Sequence, residues 1–202
     1  MSFDGRQLSD PRDLRALSHP LRLRLLELLD EGPLTATEAA AVLDTTPANC
    51  SFHLRLLARH GFVTEAPGGT GRQRPWQLAE EGMSIVGRSL DDEGRRAAQA
   101  LMTILDQQHR QRVLQWRRTR TEFPEPWQEA GGETFLITHL TAEELTALNA
   151  ALREVLRPYV DRPRAQRAPG SVPIDIYLAT IPHRRPMEEQ RPMEGQRPME
   201  GQ

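Results

Sequence analysis

Apolar positions along the first sixty residues recur at helical spacing. Leu21, Leu25, Leu28 and Leu29 share one face between Pro20 and Asp30, a stripe that must turn toward a core. Asp10-Pro11 places a cap and a first-turn proline at the start of a shorter helix before it, and "LSHP" separates the two. Gly32-Pro33 ends the leucine-rich helix. Thr35-Ala-Thr-Glu38 is then a capping box for an alanine-rich helix reaching Leu43. After a turn at Asp44–Thr46, Thr46-Pro47 opens another helix that runs to about His60 and stops at Gly61.

The pattern then changes period. Residues 62–65 and 72–78 alternate in character around the glycine-rich "PGGTG" at 67–71, which predicts a hairpin. Three helices followed by a hairpin is the plan of a winged helix-turn-helix. Asp91-Asp92-Glu93 sits well at the amino end of a long helix, whose stripe includes Ala97, Leu101, Ile104, Leu105, Val113 and Trp116. "PEPW" and Gly131-Gly132 read as a linker. Residues 134–140 read as a strand, Thr141–Glu144 as a second capping box for a helix to about Pro158, and 172–181 ("VPIDIYLATI") as another strand. Three copies of a hexapeptide, RPMEEQ then RPMEGQ twice, fill 185–202. Each has one apolar side chain, too little to offset the entropy of ordering, so disorder is expected there.

The fold class expected is mainly α with small β (α+β). Residues 1–90 would form the winged helix-turn-helix, 91–183 a helical dimerisation region with two strands and a possible effector site, and 184–202 a disordered tail. Leu101, Leu105, Val113 and Trp116 are the candidate dimer stripe.

On a helical wheel of residues 46–60, Cys50, Leu54 and Leu57 fall on one side, while Ala48, Phe52, Arg55 and Arg59 fall on the other. Asn49 and Ser51 flank that outer face near its amino end. A small residue permits close approach to base edges, and Asn49 and Ser51 can bond to a base or a phosphate. Arg55 can take a guanine edge or a phosphate, and Phe52 can meet a thymine methyl or pack under the hairpin. From Thr45 to Leu78 four arginines stand against Glu65 alone, so the segment is locally basic although the whole chain carries −2. Arg72 and Arg74 alternate with Gln73 and project from one side of the hairpin. The bland alternative is a solvated basic face. The agreement of helix order, caps and hairpin favours double-stranded DNA as the partner.

The stretches "LSHPLRLRLLELL", "TATEAAAVLDTTPANCSFHLRLLARHGFV" and "GGTGRQRPWQLAEEG" resemble the ArsR-type winged helix-turn-helix repressors over about residues 11–82. That resemblance implies a bacterial, homodimeric regulator on an inverted-repeat operator. It implies that Thr46, Asn49, Ser51, Phe52 and Arg55 read the groove, with Arg72 and Arg74 on the wing. Ala79 departs from the pattern, which usually has a capping threonine there. The family's metal sites do not carry over: residues 35–43 hold no cysteine or histidine, and Asp106 and His109 lack a second pair further along.

No cofactor is expected, and no phosphate loop, nucleophile elbow or usefully paired acids suggest an enzyme. The arginines of 110–120 read as a solvated face, with flanking phosphates or an anionic effector held against Trp116 as alternatives. Two rival readings are a small-molecule-responsive regulator with its pocket in 95–181, and a winged helix that binds protein. Cys50, the only cysteine, is expected to pack with Leu54 and Leu57 as a small hydrophobe. Without paired cysteines, an apolar leader or a membrane-length apolar run, a cytoplasmic location with no membrane partner is expected.

Overall fold

The computed structural model describes residues 5–68, 74–80, 82–85 and 90–183. It is an α+β fold. In chain order the elements are β1 (Arg6–Leu8), α1 (Pro11–Leu17), α2 (Pro20–Glu31), α3 (Ala36–Val42), α4 (Pro47–Arg59), β2 (Val63–Glu65), β3 (Trp76–Leu78) and β4 (Met83–Ile85). Then follow α5 (Asp92–Thr119), α6 (Glu125–Ala130) and α7 (Ala142–Val160). No helix among the described residues is long and apolar enough to cross a membrane.

Helix starts follow the local chemistry. Asp10 accepts from the Arg12 amide to cap α1, and Pro11 stands in its first turn. Thr35 and Glu38 form a reciprocal capping box on α3, as do Thr141 and Glu144 on α7. Each such cap is worth about 1 kcal/mol. The α3–α4 turn depends on Asp44 at φ 51°, a left-handed conformation that aspartate tolerates better than most side chains.

The core gathers the inner faces of α1–α4 and the first third of α5. Leu14, Leu25, Leu54, Leu57 and Leu101 are all but completely buried in it. Leu90, Ala97 and Leu101 belong to this same core, so the packed amino-terminal unit runs past residue 90 into α5. The hairpin is present as β2 and β3, antiparallel, with Val63 opposite Leu78 and Glu65 opposite Trp76. An isolated bridge from Leu34 to Trp76 ties it to the segment between α2 and α3.

One pairing was not foreseen. β1 runs parallel to β4, with Arg6 opposite Met83 and Leu8 opposite Ile85. A Cβ added to Gly5 would collide with the backbone of Gly82, so that approach needs glycine.

Leu101 of the expected dimer stripe is 1% exposed, within its own chain's core, with Leu105 packed half-buried beside it. Val113 and Trp116 stay half-buried farther along α5, and Trp116 stacks edge-on against Phe123 at 5.1 Å. Two expectations are corrected. Residues 134–140 and 172–181 form no strand, because their backbone groups join no ladder among the described residues. The linker around "PEPW" instead winds into α6, whose first turn admits Pro126 because the amide it lacks would be unpaired there anyway. The hexapeptide tail lies outside the described residues.

Candidate nucleic-acid interface

The α3–turn–α4 unit is built so that α4 can be exposed on one side without losing its seat. Thr46 accepts from the Asn49 amide at 3.2 Å and Pro47 occupies the first turn. Inward, Cys50, Leu54 and Leu57 are at most 1% exposed, and His53 is buried beside them. Burial also pushes the Cys50 thiol up, so it stays protonated and packs as a small apolar group.

Outward, α4 presents Asn49, Phe52 and Arg55 to solvent, with Ser51 half-buried. Phe52 keeps 57% of its surface exposed among the described residues, a costly placement for an aromatic ring. Arg55 donates to the Ser51 hydroxyl at 2.6 Å, and the Asn49 amide donates to Thr45 at 3.1 Å. These contacts orient the polar groups while leaving most of the guanidinium's five donors free. Phe52, Arg55, Ala58, Arg59 and Trp76 line an open groove of about 640 Å³ between α4 and the hairpin.

On the hairpin, Arg74 is exposed and donates to Glu65 at 2.8 Å on the neighbouring strand. Arg72 lies outside the described residues. Thr46 is exposed too, but its hydroxyl oxygen is already used as the cap, which limits it to donating toward a phosphate.

Arg59, on the outer face with Arg55, lines the groove beside Trp76. Two contributors escaped the sequence reading, since nothing local pointed to Trp76 or to Arg22. Arg22 is buried beneath α4. Its Nε donates to the Ala16 carbonyl and its Nη2 to the Arg15 carbonyl at 3.1 Å, satisfying the last turn of α1 with a cation. Its Nη1 lies 3.4 Å from His53 Nδ1. His53 in turn packs against His19, whose Nδ1 accepts from the Leu21 amide to cap α2. Burial first, then neighbouring cations, hold both imidazoles below their ordinary pKa, which suits rings that must accept hydrogen bonds. Arg22, His19 and His53 thereby lock the seat of α4 to α1 and α2.

Asp106 and His109 of α5 face residues 172–181 instead of each other's ligand sphere. Asp106 accepts from the Tyr177 hydroxyl at 2.9 Å, and His109 Nδ1 lies 3.0 Å from Asp175.

A helix seated on a core by one face, bare and polar-aromatic on the other, and flanked by a two-stranded hairpin is the geometry of a helix-turn-helix DNA-binding protein. Residues 17–66 match the family model described as a helix-turn-helix domain. Over 98 residues the chain is 31% identical to the HTH-type transcriptional regulator Rv2034 of Mycobacterium tuberculosis (strain ATCC 25618 / H37Rv), a match taking in 48% of this chain and 90% of that relative. The chain belongs to the family of HTH-type transcriptional regulators: it binds DNA and regulates transcription. About half of its length has no counterpart in that relative.

Proposed function

We propose that the chain is a homodimeric, sequence-specific repressor of the ArsR type, acting by occupying an inverted-repeat operator in the cytoplasm. The observation that carries this reading is the bare outer face of α4. There Asn49, Ser51, Phe52 and Arg55 stand together on a helix whose opposite face is fully buried. In the major groove Asn49 and Ser51 meet base edges or phosphates, Arg55 takes a guanine edge, and Phe52 lies against a thymine methyl. Arg74, with Arg72, addresses the adjacent backbone. Dimerisation sets the two α4 helices one turn of DNA apart, ~34 Å.

The test is a gel shift with the DNA upstream of the protein's own coding sequence, against excess unrelated competitor. A competitor-resistant shift that weakens steeply with salt is expected, because arginine–phosphate contacts release counterions. Arg55→Ala should weaken specific binding by about 1–3 kcal/mol, roughly ten- to a hundredfold, with an unchanged circular dichroism melt. A folded Arg55→Ala protein that binds as well as the native one would remove α4 from the groove.

A further inference from the structure

Residues 172–178 carry a pattern that reads the same in both directions. In "VPIDIYL", Val172, Ile174, Ile176 and Leu178 stand symmetrically about Asp175. No turn or bend interrupts residues 172–181, and Asp175 and Tyr177 both reach α5, so at a strand's period of two these four fall on the opposite side. The Asp175 side is anchored on α5. Asp175 meets His109 at 3.0 Å and Arg112 at 3.6 Å, Tyr177 donates to Asp106, and its ring stacks on His109 with centroids 4.4 Å apart. The opposite side is an apolar stripe between 49% and 62% exposed. These contacts hold the segment on α5, and Thr180 just beyond it donates to Asn149 of α7 at 2.9 Å, while no backbone ladder engages 172–178 among the described residues.

We infer that residues 172–178 of two copies pair as antiparallel strands about a twofold axis at Asp175. This inference rests on the homodimer of the preceding section and names its contact. Twofold symmetry requires a self-complementary surface. About that axis Ile174 meets the partner's Ile176, and Val172 meets the partner's Leu178, apolar on apolar throughout.

The register is chosen by Pro173. Having no N–H, it must sit where the ladder makes no bond, so Asp175 also falls in a pair without hydrogen bonds and residues 172, 174, 176 and 178 make them. The two Asp175 carboxylates face each other, each held by the Arg112 guanidinium and the His109 ring of its own chain.

The area argues for a second copy as well. Thirteen of the nineteen exposed large apolar side chains among the described residues lie between 134 and 181, Phe135, Leu136 and Ile137 among them. Together they expose on the order of 1,000 Å² of apolar surface, comparable with the roughly 800 Å² per partner of a stable interface.

The full chain decides the matter by cross-linking and mass. In a pair without hydrogen bonds the two Cα atoms of residue 175 lie about 4.5 Å apart, inside the roughly 4.4–6.8 Å range of a disulfide. Asp175→Cys should therefore give a covalent dimer under mild oxidation. Ala179→Cys should not, its two copies lying roughly 25 Å apart in this register at ~3.3 Å per residue. Native Cys50 is buried and serves as the uncross-linked control. Ile174→Asp with Ile176→Asp should move the sedimentation mass from dimer to monomer with helix content intact.

A native chain that is monomeric at tens of micromolar, or dimeric without a cross-link at 175, overturns the pairing. The gel shift keeps the two readings apart. A chain that shifts DNA but fails to cross-link sinks only the strand pairing, and one that cross-links but shifts no DNA sinks only the repressor.

Discussion

Residues 5–101 and 102–183 differ in one physical respect. The first stretch closes a core in which seven side chains are all but inaccessible; in the second, no described residue is buried. Apolar content does not separate them, since the second stretch holds Phe135, Ile137, Val155, Ile174 and Ile176. What separates them is partners. In the amino-terminal unit every apolar stripe meets another: α1 packs on α5, α3 on α4, and α2 on both α4 and the hairpin. In the carboxy-terminal half α7 is amphipathic with Leu145, Leu152, Leu156 and Val160 only half-buried, and 172–178 alternates with Val172, Ile174, Ile176 and Leu178 exposed. The lesson is that a helix-turn-helix module can be finished within one chain while the part appended to it is not.

The sharpest way to break this comparison is to truncate one apolar side chain on each side. Leu54→Ala should cost about 2–5 kcal/mol, because Leu54 is 1% exposed and its cavity cannot collapse freely. Val155→Ala, at 67% exposure, should cost a few tenths of a kcal/mol in a chain held monomeric by dilution. Urea titrations followed by circular dichroism measure both. Equal losses would mean that α7 is buried in the dilute protein and that the contrast is false.

Next in size is Arg22→Met. It keeps the apolar stem but leaves the Ala16 and Arg15 carbonyls without their donor, and should cost about 1–3 kcal/mol. Because the guanidinium also touches His53 under α4, the variant should lose DNA affinity as well, although Arg22 is buried away from any ligand. Unchanged DNA affinity in the folded variant would show that Arg22 seats only α1.

How far the residues announced all this follows from the range of each interaction. Caps, stripes and turn residues act within four positions, and they located α1–α5, the hairpin and α7 from Thr35, Thr46, Asp91, Thr141 and their neighbours. The β1–β4 pair joins residues 6 and 83, and the Arg22–His53 contact joins residues 22 and 53; nothing in a local window reports either. The outer face of α4 was legible because a helix wheel needs only a correct period. The apolar runs at 134–140 and 172–181 read as strands, and no strand formed there. Such a run could not say whether a neighbouring strand exists, since pairing depends on a second segment.

Acid sharpens the comparison more gently. His19 and His53 are held neutral in the folded unit, below the ordinary value of 6.5, and the unfolded chain binds their protons first. Stability tied to them is therefore fully present above about pH 6.5, declines as pH falls from there, and levels off below their depressed values. Melting temperatures across about pH 7.5 to 5.5 should drop more for the native chain than for a His19→Gln, His53→Gln variant. Parallel curves would place the acid-labile groups elsewhere.

The smallest effect approaches the closed unit from its surface. Arg74 donates to Glu65 across the hairpin, and both are about half exposed, so the pair adds little to folding. Its consequence lies in binding: a guanidinium engaged by a carboxylate must exchange that partner for a phosphate, and Glu65 repels the same phosphate. Glu65→Gln removes the competitor and keeps the shape. DNA affinity should rise a few-fold, most at low salt, while the melting temperature stays put. Core changes in this unit move stability, and this one should move binding alone, which is what a module complete within its own chain permits. A lower affinity in Glu65→Gln would mean that the carboxylate positions Arg74 for the backbone instead of restraining it.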